Sequence, residues 1–365
     1  MKLAILHFQP LEKYPPVMNC IRDLEALTTV DVYVFSTKYK ENWFITKYKC
    51  YRFGNYAKSL LARYWTYLYF NISTFLLLLI TKPTTILYFE TYSVWPAYWY
   101  LRLFPKTNLY IHFHEYYSAS EKISSSSYFK FLLQLEEKLL YKAKWISHTN
   151  KDRLNLFEHD YPHLNKGQFF TLPNYPPHEW LCTAQTIRNN HTTESNSIKV
   201  IYIGAIGISS TYIVEFSNWI HQQKGAYTFS IYTDNIEKEA RDYLLKLNSP
   251  YIYLNSSLPY YQLPSVLAQF DIGIVFYKGH IPNYVYNVPN KVFEYLVCGL
   301  QVWYSKELLS TQSFQLESNL HNMTILDFKN LFTIESQLHT HKADLSRIEF
   351  PNNKLITHLI SNENQ

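Results

Sequence analysis

The segment "NVPNKVFEYLVCGLQVWYS" (287–305) carries the sharpest structural signal in the chain. It predicts a helix that begins after Pro289 and ends at Gly299 before an apolar strand, because proline suits helix starts and glycine suits helix ends. Helix N-termini attract anions, so Lys291 on the first turn indicates a phosphate site. Glu294, one turn further on, can accept two hydrogen bonds from the vicinal hydroxyls of a ribose. The alternative is a solvated Lys291–Glu294 pair without a function.

On both sides of this segment, apolar runs of strand length alternate with longer helical stretches. Such alternation predicts parallel sheets covered by helices on both faces. In the first half the runs are "KLAIL" (2–6), "VDVYVFS" (30–36), "TTILYFE" (84–90), "NLYIHFH" (108–114) and "WISHT" (145–149). In the second half they are "IKVIYIG" (198–204), "YTFSIYTD" (227–234), "PYIYLNS" (250–256), "FDIGIVFY" (270–277), "LQVWYS" (300–305) and "MTILDF" (323–328).

A break in composition divides these runs into two sets. The Pro-rich and Asn-rich "TLPNYPPHEW" (171–180) and the polar "TIRNNHTTESNS" (186–197) indicate an inter-domain linker. We therefore expect an α/β fold with two doubly wound domains that face each other across a cleft. The expected bounds are 1–172 for the first domain, 173–197 for the linker, 198–350 for the second domain, and 351–365 for a C-terminal helix or tail that packs back on the first domain.

The composition excludes several classes of protein. Hydrophobic residues make up 47% of the chain and charged residues 17%, which is typical of a folded globular protein. The four cysteines are far apart and form no C-x-x-C pair, which argues against a zinc ribbon or a disulfide framework and favours the cytoplasm. The start, "MKLAILHFQP", has too short an apolar core for a signal peptide.

Positive charge is concentrated in residues 38–63, which hold seven Lys or Arg residues against Glu41 alone. Aromatic residues are interleaved with these cations, a pattern that suits the headgroup region of an anionic bilayer. A solvated basic face fits equally well, and a nucleic-acid surface is disfavoured because no recognition module is present. The residues expected on the membrane or acceptor side are Trp43, Lys47, Lys49 and Arg52.

Residues 60–80 are almost long enough to cross a membrane. Arg63 and Asn71 interrupt them, however, and only Phe75 to Ile80 is continuously apolar. We therefore predict a buried crossover helix that leads into the strand at 84–90, and no spanning segment.

Residues that follow the predicted strands are the candidates for a ligand site, because parallel sheets bind ligands at the carboxyl ends of their strands. In "GAIGISST" (204–211), Gly204 and Gly207 allow close approach of a diphosphate, which a helix starting near residues 209–211 would hold on its amides. The pattern is not G-x-G-x-x-G, so a turn that merely needs glycine fits as well.

The sequence "HFHE" (112–115) ends another predicted strand. His112 and His114 share one face, but no third ligand is evident, so no metal is predicted. We expect His114 to contact the donor sugar or the acceptor hydroxyl, with Glu115 orienting a neighbouring group, which makes both candidate catalytic residues. The alternative is a pair of histidines satisfied within a Tyr-rich core.

Four segments resemble the retaining glycosyltransferases of family four. Segment 287–305 is similar to that family's characteristic Pro-x-Lys-hydrophobic-x-Glu pattern, and three further segments follow the family's order: "LYIHFHEYYSASE" (109–121), "WISHTNKDRLNLF" (145–157) and "TLPNYPP" (171–177). The resemblance implies the GT-B fold of two Rossmann-like domains, a nucleoside-diphosphate-sugar donor, retention of anomeric configuration and no metal cofactor. It also implies that Glu294 binds the donor ribose and that Lys291, beside Asn290, lies near the phosphates.

The chain departs from the family pattern at two places. Many members have a second Glu eight positions before the ribose-binding one, where this chain has Tyr286. The Arg and the Lys-Gly pair that usually follow the first strand of the second domain are missing after Gly204. Tyr286 is therefore a donor-side candidate, and Asn283, Tyr284 or Asn287 can substitute for the missing acid.

We therefore expect a hexosyltransferase-type enzyme that moves a sugar to a glycan or lipid-linked saccharide, in surface polysaccharide biosynthesis. It is expected in the cytoplasm or on the inner face of the cell membrane. One alternative is an inverting transferase that uses His114 or Glu115 as its base. Another is a non-catalytic scaffold that binds nucleotide or glycan.

Overall fold

The chain folds into two compact units. The computed structural model describes residues 1–27, 30–40, 42–55, 59–190, 197–331 and 352–361. The first unit consists of the described parts of Met1–Pro173 together with the C-terminal helix, and the second of the described parts of Asn174–Phe350. Each unit has one parallel sheet with helices in the crossover connections.

The first unit has a seven-stranded sheet. Its elements are β1 (Lys2–Leu6), α1 (Pro15–Leu27), β2 (Asp31–Lys38), β3 (Lys49–Asn55), α2 (Leu60–Thr81), β4 (Thr85–Phe89), α3 (Val94–Leu103), β5 (Asn108–Phe113), α4 (Ala119–Ser124), α5 (Ser127–Leu140), β6 (Ala143–His148), α6 (Lys151–Asp160) and β7 (Phe169–Thr171). The strand order is β3-β2-β1-β4-β5-β6-β7. The inner strand β4 is buried along its whole length, as its continuous apolar sequence predicts.

The second unit has a six-stranded sheet. Its elements are α7 (Glu179–Asn190), β8 (Ile198–Ile203), α8 (Ile213–Gln222), β9 (Tyr227–Tyr232), α9 (Lys238–Leu247), β10 (Ile252–Asn255), α10 (Leu263–Leu267), β11 (Ile272–Val275), α11 (Pro282–Val285), α12 (Asn290–Val297), β12 (Gln301–Ser305), α13 (Leu309–Ser318) and β13 (Met323–Leu326). The strand order is β10-β9-β8-β11-β12-β13. The C-terminal helix of the chain, α14 (Asn352–Ser361), lies in the first unit, where His358 contacts the ring of Tyr110.

Both sheets have a topological switch point. In the first unit β1 lies between β2 and β4, and in the second β8 lies between β9 and β11. The connections that follow the two neighbouring central strands, β1 and β4 or β8 and β11, therefore run in opposite directions across the sheet. The loops after those strands diverge, and in doubly wound sheets this opens a ligand crevice at the carboxyl ends. The predicted doubly wound architecture of both domains is confirmed.

Two strands are absent from the sequence-based prediction. The edge strand β3 lies within the basic stretch 38–63, and β7 is only three residues long. Lys49 and Arg52 on β3 fit an edge, because charged side chains there oppose pairing with another chain. Glu41 and Lys58 of the basic stretch lie outside the described residues.

The crossover helix before β4 is present as predicted, but it is not a buried helix. In the described part of the chain, α2 is the one helix that is long enough and apolar enough to cross a membrane. Only 28% of its apolar stretch is buried. One face packs on the sheet through residues such as Phe70 and Leu78, and the other faces solvent. The sequence could not show this, because both faces are apolar.

Candidate active site

The switch point of the second unit brings Gly204 and Lys291 together. Gly204 follows β8 and has a φ of +139°, a backbone conformation that favours glycine. A β-carbon there would lie 2.8 Å from Cε and 2.9 Å from Nζ of Lys291, so any other residue at this position would displace the end of the lysine side chain. The Lys291 ammonium donates a hydrogen bond to the Tyr277 hydroxyl (2.6 Å) and lies over the ring of Tyr202. A positive charge is thus held at the carboxyl end of the sheet.

Glu294 lies one turn after Lys291 on α12 and is 7% exposed. Burial raises the pKa of this carboxyl to about 7, and the nearby charge of Lys291 partly offsets that rise. Within the described residues, no group donates a hydrogen bond to this carboxylate. The Glu294 carboxylate is therefore a largely buried acceptor that has no hydrogen-bond donor among the described residues. This is the property expected of a group that binds a ligand hydroxyl.

The start of α12 is positioned by the segment before α7. Asn174 donates a hydrogen bond to the side chain of Asn290 (2.9 Å), and the ring of Tyr175 packs on Phe293 with 4.4 Å between centroids. The helix begins after Pro289, and no side chain caps it. The Val292 amide donates to the Pro289 carbonyl (2.9 Å), and the amides of Asn290 and Lys291 keep their partial positive charge for an anion. Two of the segments that resemble the glycosyltransferase family, "TLPNYPP" and 287–305, are thus in contact with each other.

The loop after β8 differs from the prediction. α8 begins at Ile213, not near residues 209–211. The amide of Thr211 donates to the Gly207 carbonyl (2.9 Å), and that of Tyr212 donates to the Phe276 carbonyl (2.9 Å). The expected helix start near residues 209–211 is therefore wrong, and the amides of Thr211 and Tyr212 are already bonded to carbonyls, which disfavours a diphosphate on them.

The side chain of Glu237 packs against Gly207. A β-carbon at this position would clash with the carboxylate of Glu237, a like charge that disfavours a phosphate there. Lys278 closes the same loop, because its ammonium donates to the Ile208 carbonyl (2.9 Å) and lies 3.4 Å from the Glu215 carboxylate. The donor-side role expected for Gly207 has no geometric support in this unit, whereas that of Gly204 does.

The segment before α12 contains Tyr286 and the residues considered from the sequence as substitutes for the acid that the resemblance leads one to expect. Tyr286 is half-buried at the end of α11, where its amide donates to the Pro282 carbonyl (2.8 Å). Tyr284 stacks on Tyr277 at 5.7 Å and 7°, and Tyr277 in turn binds Lys291. Of the substitutes considered from the sequence, Tyr284 is thus connected to the lysine through Tyr277. Tyr277 itself was missed, although it is the last residue of the predicted strand 270–277.

The carboxyl edge of the first sheet gathers a second set of polar residues. His114 follows β5, is 7% exposed, and its amide donates to the Glu90 carboxylate (2.6 Å). Tyr14 donates to the same carboxylate (2.9 Å), and Arg153 donates to the His114 carbonyl. Glu115 is about half exposed and lies 3.8 Å from Arg153. The two catalytic candidates thus sit in a network centred on Glu90.

Glu90 was not predicted, and its backbone is strained. It follows β4 with φ 64° and ψ 150°, a region occupied almost only by glycine, and it is 8% exposed. Burial raises the pKa of its carboxyl, against the effect of its hydrogen bonds. Such strain persists where the surroundings over-determine the residue, and it is common at functional sites. Its position at the end of the strand 84–90 was the available signal.

His112 behaves as the non-catalytic alternative describes. Its ring lies 4.5 Å from that of His114, and its Nδ1 is 2.7 Å from the hydroxyl of Ser147, which also accepts a hydrogen bond from Trp145. Burial lowers the pKa of His112 and keeps it neutral. Within the described residues, no three His, Cys, Asp or Glu side chains are grouped to hold a metal ion.

The four residues expected on a membrane side differ in their contacts within the first unit. Arg52 is bound inward, to the Glu12 carboxylate (2.8 Å) and the Phe44 carbonyl (3.2 Å). Lys47 donates to the Glu25 carbonyl (2.6 Å). Lys49 lies over the ring of Tyr33, and Trp43 is half-buried. Arg52 thus stabilises the first unit and is not available to a membrane.

Comparison with known proteins supports the fold. No family model matches the chain, and a search of curated proteins found no match. Several solved structures are similar over 99% of this chain. Sucrose-phosphate synthase from Thermosynechococcus elongatus matches with 14% identity, 99% coverage of its chain and a TM-score of 0.71. HepE from Anabaena in complex with UDP-glucose matches with 11% identity, 100% coverage and a TM-score of 0.66.

A solved structure of an enzyme with another activity, an epimerase, is also similar to this chain. The UDP-GlcNAc 2-epimerase from Neisseria meningitidis, bound to UDP-GlcNAc, matches with 12% identity, 100% coverage of its chain and a TM-score of 0.63. Together these likenesses confirm the predicted GT-B fold with two Rossmann-like domains. Because one fold serves several reactions, the choice among them depends on the site residues.

Proposed function

We propose that this protein is a glycosyltransferase that moves a sugar from a nucleoside diphosphate to a saccharide acceptor. The observation that carries the proposal is the arrangement of Gly204, Lys291 and Glu294 at the switch point of the second sheet. Glu294 accepts hydrogen bonds from the two ribose hydroxyls, and Lys291 with the first turn of α12 meets the diphosphate. HepE and other solved proteins with this fold have UDP or a UDP-sugar bound, which supports a nucleotide-sugar donor.

The proposed mechanism stabilises the leaving group. As the bond between sugar and diphosphate breaks, negative charge grows on the diphosphate and positive charge grows on the sugar ring. Lys291 and the α12 amides oppose the negative charge, and a preorganised cation is effective because it does not have to reorganise during the reaction. The oxygen of the acceptor hydroxyl forms the new bond to the sugar carbon as the bond to the diphosphate breaks, and the hydroxyl proton passes to the departing diphosphate. We propose that this occurs without a metal, since the chain itself supplies the positive charge.

Retention of configuration is part of the proposal and is supported by the resemblance of segment 287–305. We propose that His114 and Glu115 contact the sugar or the acceptor. If either acts as the base of an inverting reaction instead, the product anomer changes. Proton NMR of the product therefore separates the two mechanisms.

We further propose that the acceptor is a glycan or a lipid-linked saccharide of surface polysaccharide biosynthesis, modified in the cytoplasm or at the inner face of the membrane. The supporting observation is the apolar surface of α2, which suits an enzyme that meets a lipid-linked substrate.

The test is a screen of the purified chain against sugars of UDP, GDP, ADP and dTDP, with and without saccharide acceptors. We expect one donor to release its nucleoside diphosphate with formation of a glycosylated product, unchanged by chelator. Conversion of the donor to its epimer without an acceptor would instead indicate the epimerase reaction. If no donor is consumed, or if Lys291→Met consumes it as fast as the wild type, the proposal is wrong.

A further inference from the structure

Helix α2 presents a row of large apolar side chains to solvent. They recur every three or four residues, which places them on one face of the helix. The row consists of Leu61, Trp65, Tyr69, Ile72, Leu76 and Ile80, with exposures between 48% and 78%. Over 22 residues the helix is about 33 Å long. A row of this length is unusual on a soluble monomer and marks an interaction surface.

The opposite face of α2 fixes the helix in the first unit. Tyr67, Phe70, Thr74 and Leu78 are all at most 4% exposed. Phe70, Tyr67 and Leu78 belong to the core of this unit. If α2 crossed a bilayer, these side chains would leave that core. The helix therefore meets its partner along its side, parallel to the surface of the protein.

Helix α3 extends the same surface. It packs against α2 through Phe75 and Trp95, whose rings are 6.2 Å apart. It adds the exposed side chains of Trp99 and Leu103, at 41% and 58%. We call the six side chains of the α2 row together with Trp99 and Leu103 the α2–α3 face. Its tryptophans and tyrosine have amphipathic rings, which are enriched where a bilayer meets water.

The charge around the α2–α3 face has one sign. Three exposed cations lie in or next to the two helices beside this face: Lys82, Arg102 and Lys106. Arg63 is exposed too, but it lies roughly 150° around α2 from the apolar row, on the side of the packed residues. The guanidinium of Arg102 lies 6.0 Å from the ring centre of Trp99. Between residues 59 and 107 the sequence has one acid, Glu90, which is buried at the carboxyl edge of the sheet. The face therefore complements an anionic surface.

We propose that the α2–α3 face docks on an anionic lipid bilayer, with α2 lying in the headgroup region. A helix of this kind binds through its buried apolar area together with the attraction between its cations and anionic lipids. A second copy of the chain is disfavoured, because a two-fold dimer would bring the same cations together without an acid between them. The face belongs to the first unit and the donor site to the second, so vesicle binding can be tested independently of sugar transfer.

The test is flotation of the full chain with vesicles of phosphatidylcholine and phosphatidylglycerol in equal amounts, and with phosphatidylcholine alone. We expect binding to the mixed vesicles at low salt, weaker binding at high salt, and much less binding to the neutral vesicles. The variant L61Q/I80Q should bind the mixed vesicles at least roughly tenfold more weakly, because both side chains would lose their contact with lipid.

The matched control is L245Q/L316Q, which removes two leucines that are 67% and 81% exposed in the second unit. It should bind within about twofold of the wild type, since its substitutions lie outside the α2–α3 face. Circular dichroism and melting temperature should be unchanged in both variants. Absent binding of the wild type at low salt, or equal loss in the two variants, would overturn the proposal. So would resistance to carbonate extraction, which indicates a spanning helix, or a dimer that L61Q/I80Q dissociates without any vesicle binding.

Discussion

The carboxyl edges of the two sheets share a topology and differ in how their charges are satisfied. In the first unit the Glu90 carboxylate accepts hydrogen bonds from Tyr14 and from the amide of His114. In the second unit Lys291 has one hydrogen bond, to Tyr277, and the Glu294 carboxylate has none from the described residues. The Glu90 carboxylate of the first edge is thus bonded within the unit, whereas the second edge holds a cation and a buried acid ready for a ligand.

This difference suggests a division of labour. An internally bonded network keeps its members in place before any substrate arrives, which suits the positioning of catalytic groups. A desolvated acid beside a cation costs stability until a ligand satisfies it, which suits binding. Changes at Lys291 and Glu294 should therefore alter donor binding and turnover most, and changes at Glu90 should mainly alter stability and the geometry of the residues bonded to it.

Loss of the Lys291 charge should have the largest effect. In Lys291→Met we expect kcat to fall by about 100-fold to 1,000-fold, because a preorganised charge at the leaving group is removed. Lys278→Met is the matched control, since this lysine also lies in the segment after β11 but is already bound to the Ile208 carbonyl and lies beside the Glu215 carboxylate. Its kcat should change by no more than about threefold. Equal losses in the two variants would contradict the role assigned to Lys291.

Glu294→Gln should stabilise the protein at alkaline pH. Burial raises the pKa of Glu294 to about 7, above its value in the unfolded chain, so the folded state holds a proton that the unfolded state releases. The wild type therefore loses stability as pH rises from about 4.5 to 7, and this loss is complete above pH 7. Urea unfolding should show that the advantage of the variant grows by about 2 kcal/mol between pH 5 and pH 8. A difference that is the same at both pH values would refute this.

At the first edge, Glu90→Gly should be more stable than Glu90→Ala by about 1–3 kcal/mol, because only glycine occupies the backbone conformation at φ 64° and ψ 150° without strain. At Glu137, an exposed residue inside α5, the order should reverse by about 1 kcal/mol. Denaturant midpoints of the four variants test this. If alanine is the better residue at both positions, Glu90 is not strained.

Asn174→Ala should have the smallest effect. It removes one hydrogen bond to Asn290 at the start of α12, which is worth about 1 kcal/mol. Transfer should fall only by about threefold to tenfold, since Lys291 and Glu294 remain in place. Turnover and thermal unfolding measure the two quantities. A loss as large as that of Lys291→Met would mean that Asn174 itself contacts the donor.

The sequence predicted the parts of the site that depend on local pattern. The strand and helix of 287–305 follow from apolar spacing, Pro289 and Gly299, and the roles of Lys291 and Glu294 were assigned from the same residues. The contact between Gly204 and Lys291 joins residues 87 positions apart, and only the strand order brings them together.

Other features could not be predicted because they arise from tertiary packing. The strain at Glu90 is a property of the backbone around it, and the bonding of the amides after Gly207 depends on Phe276. In α2 both faces are apolar, so the sequence did not reveal which one the sheet covers. The edge strand β3 was not predicted because its charged residues, Lys49 and Arg52, also fit a basic surface without regular structure.

The central claim is that the Glu294 carboxylate binds the donor, and calorimetric titration of the nucleotide sugars tests it most directly. Nucleotide sugars are the right probes because their diphosphate does not titrate near neutral pH. We expect the wild type to bind at least one of them about tenfold more tightly at pH 8 than at pH 6, since only ionised Glu294 accepts both hydrogen bonds. Glu294→Gln should bind it about 10-fold to 100-fold more weakly at pH 8, with no such pH dependence. Wild-type affinity and pH dependence in the variant would contradict the account.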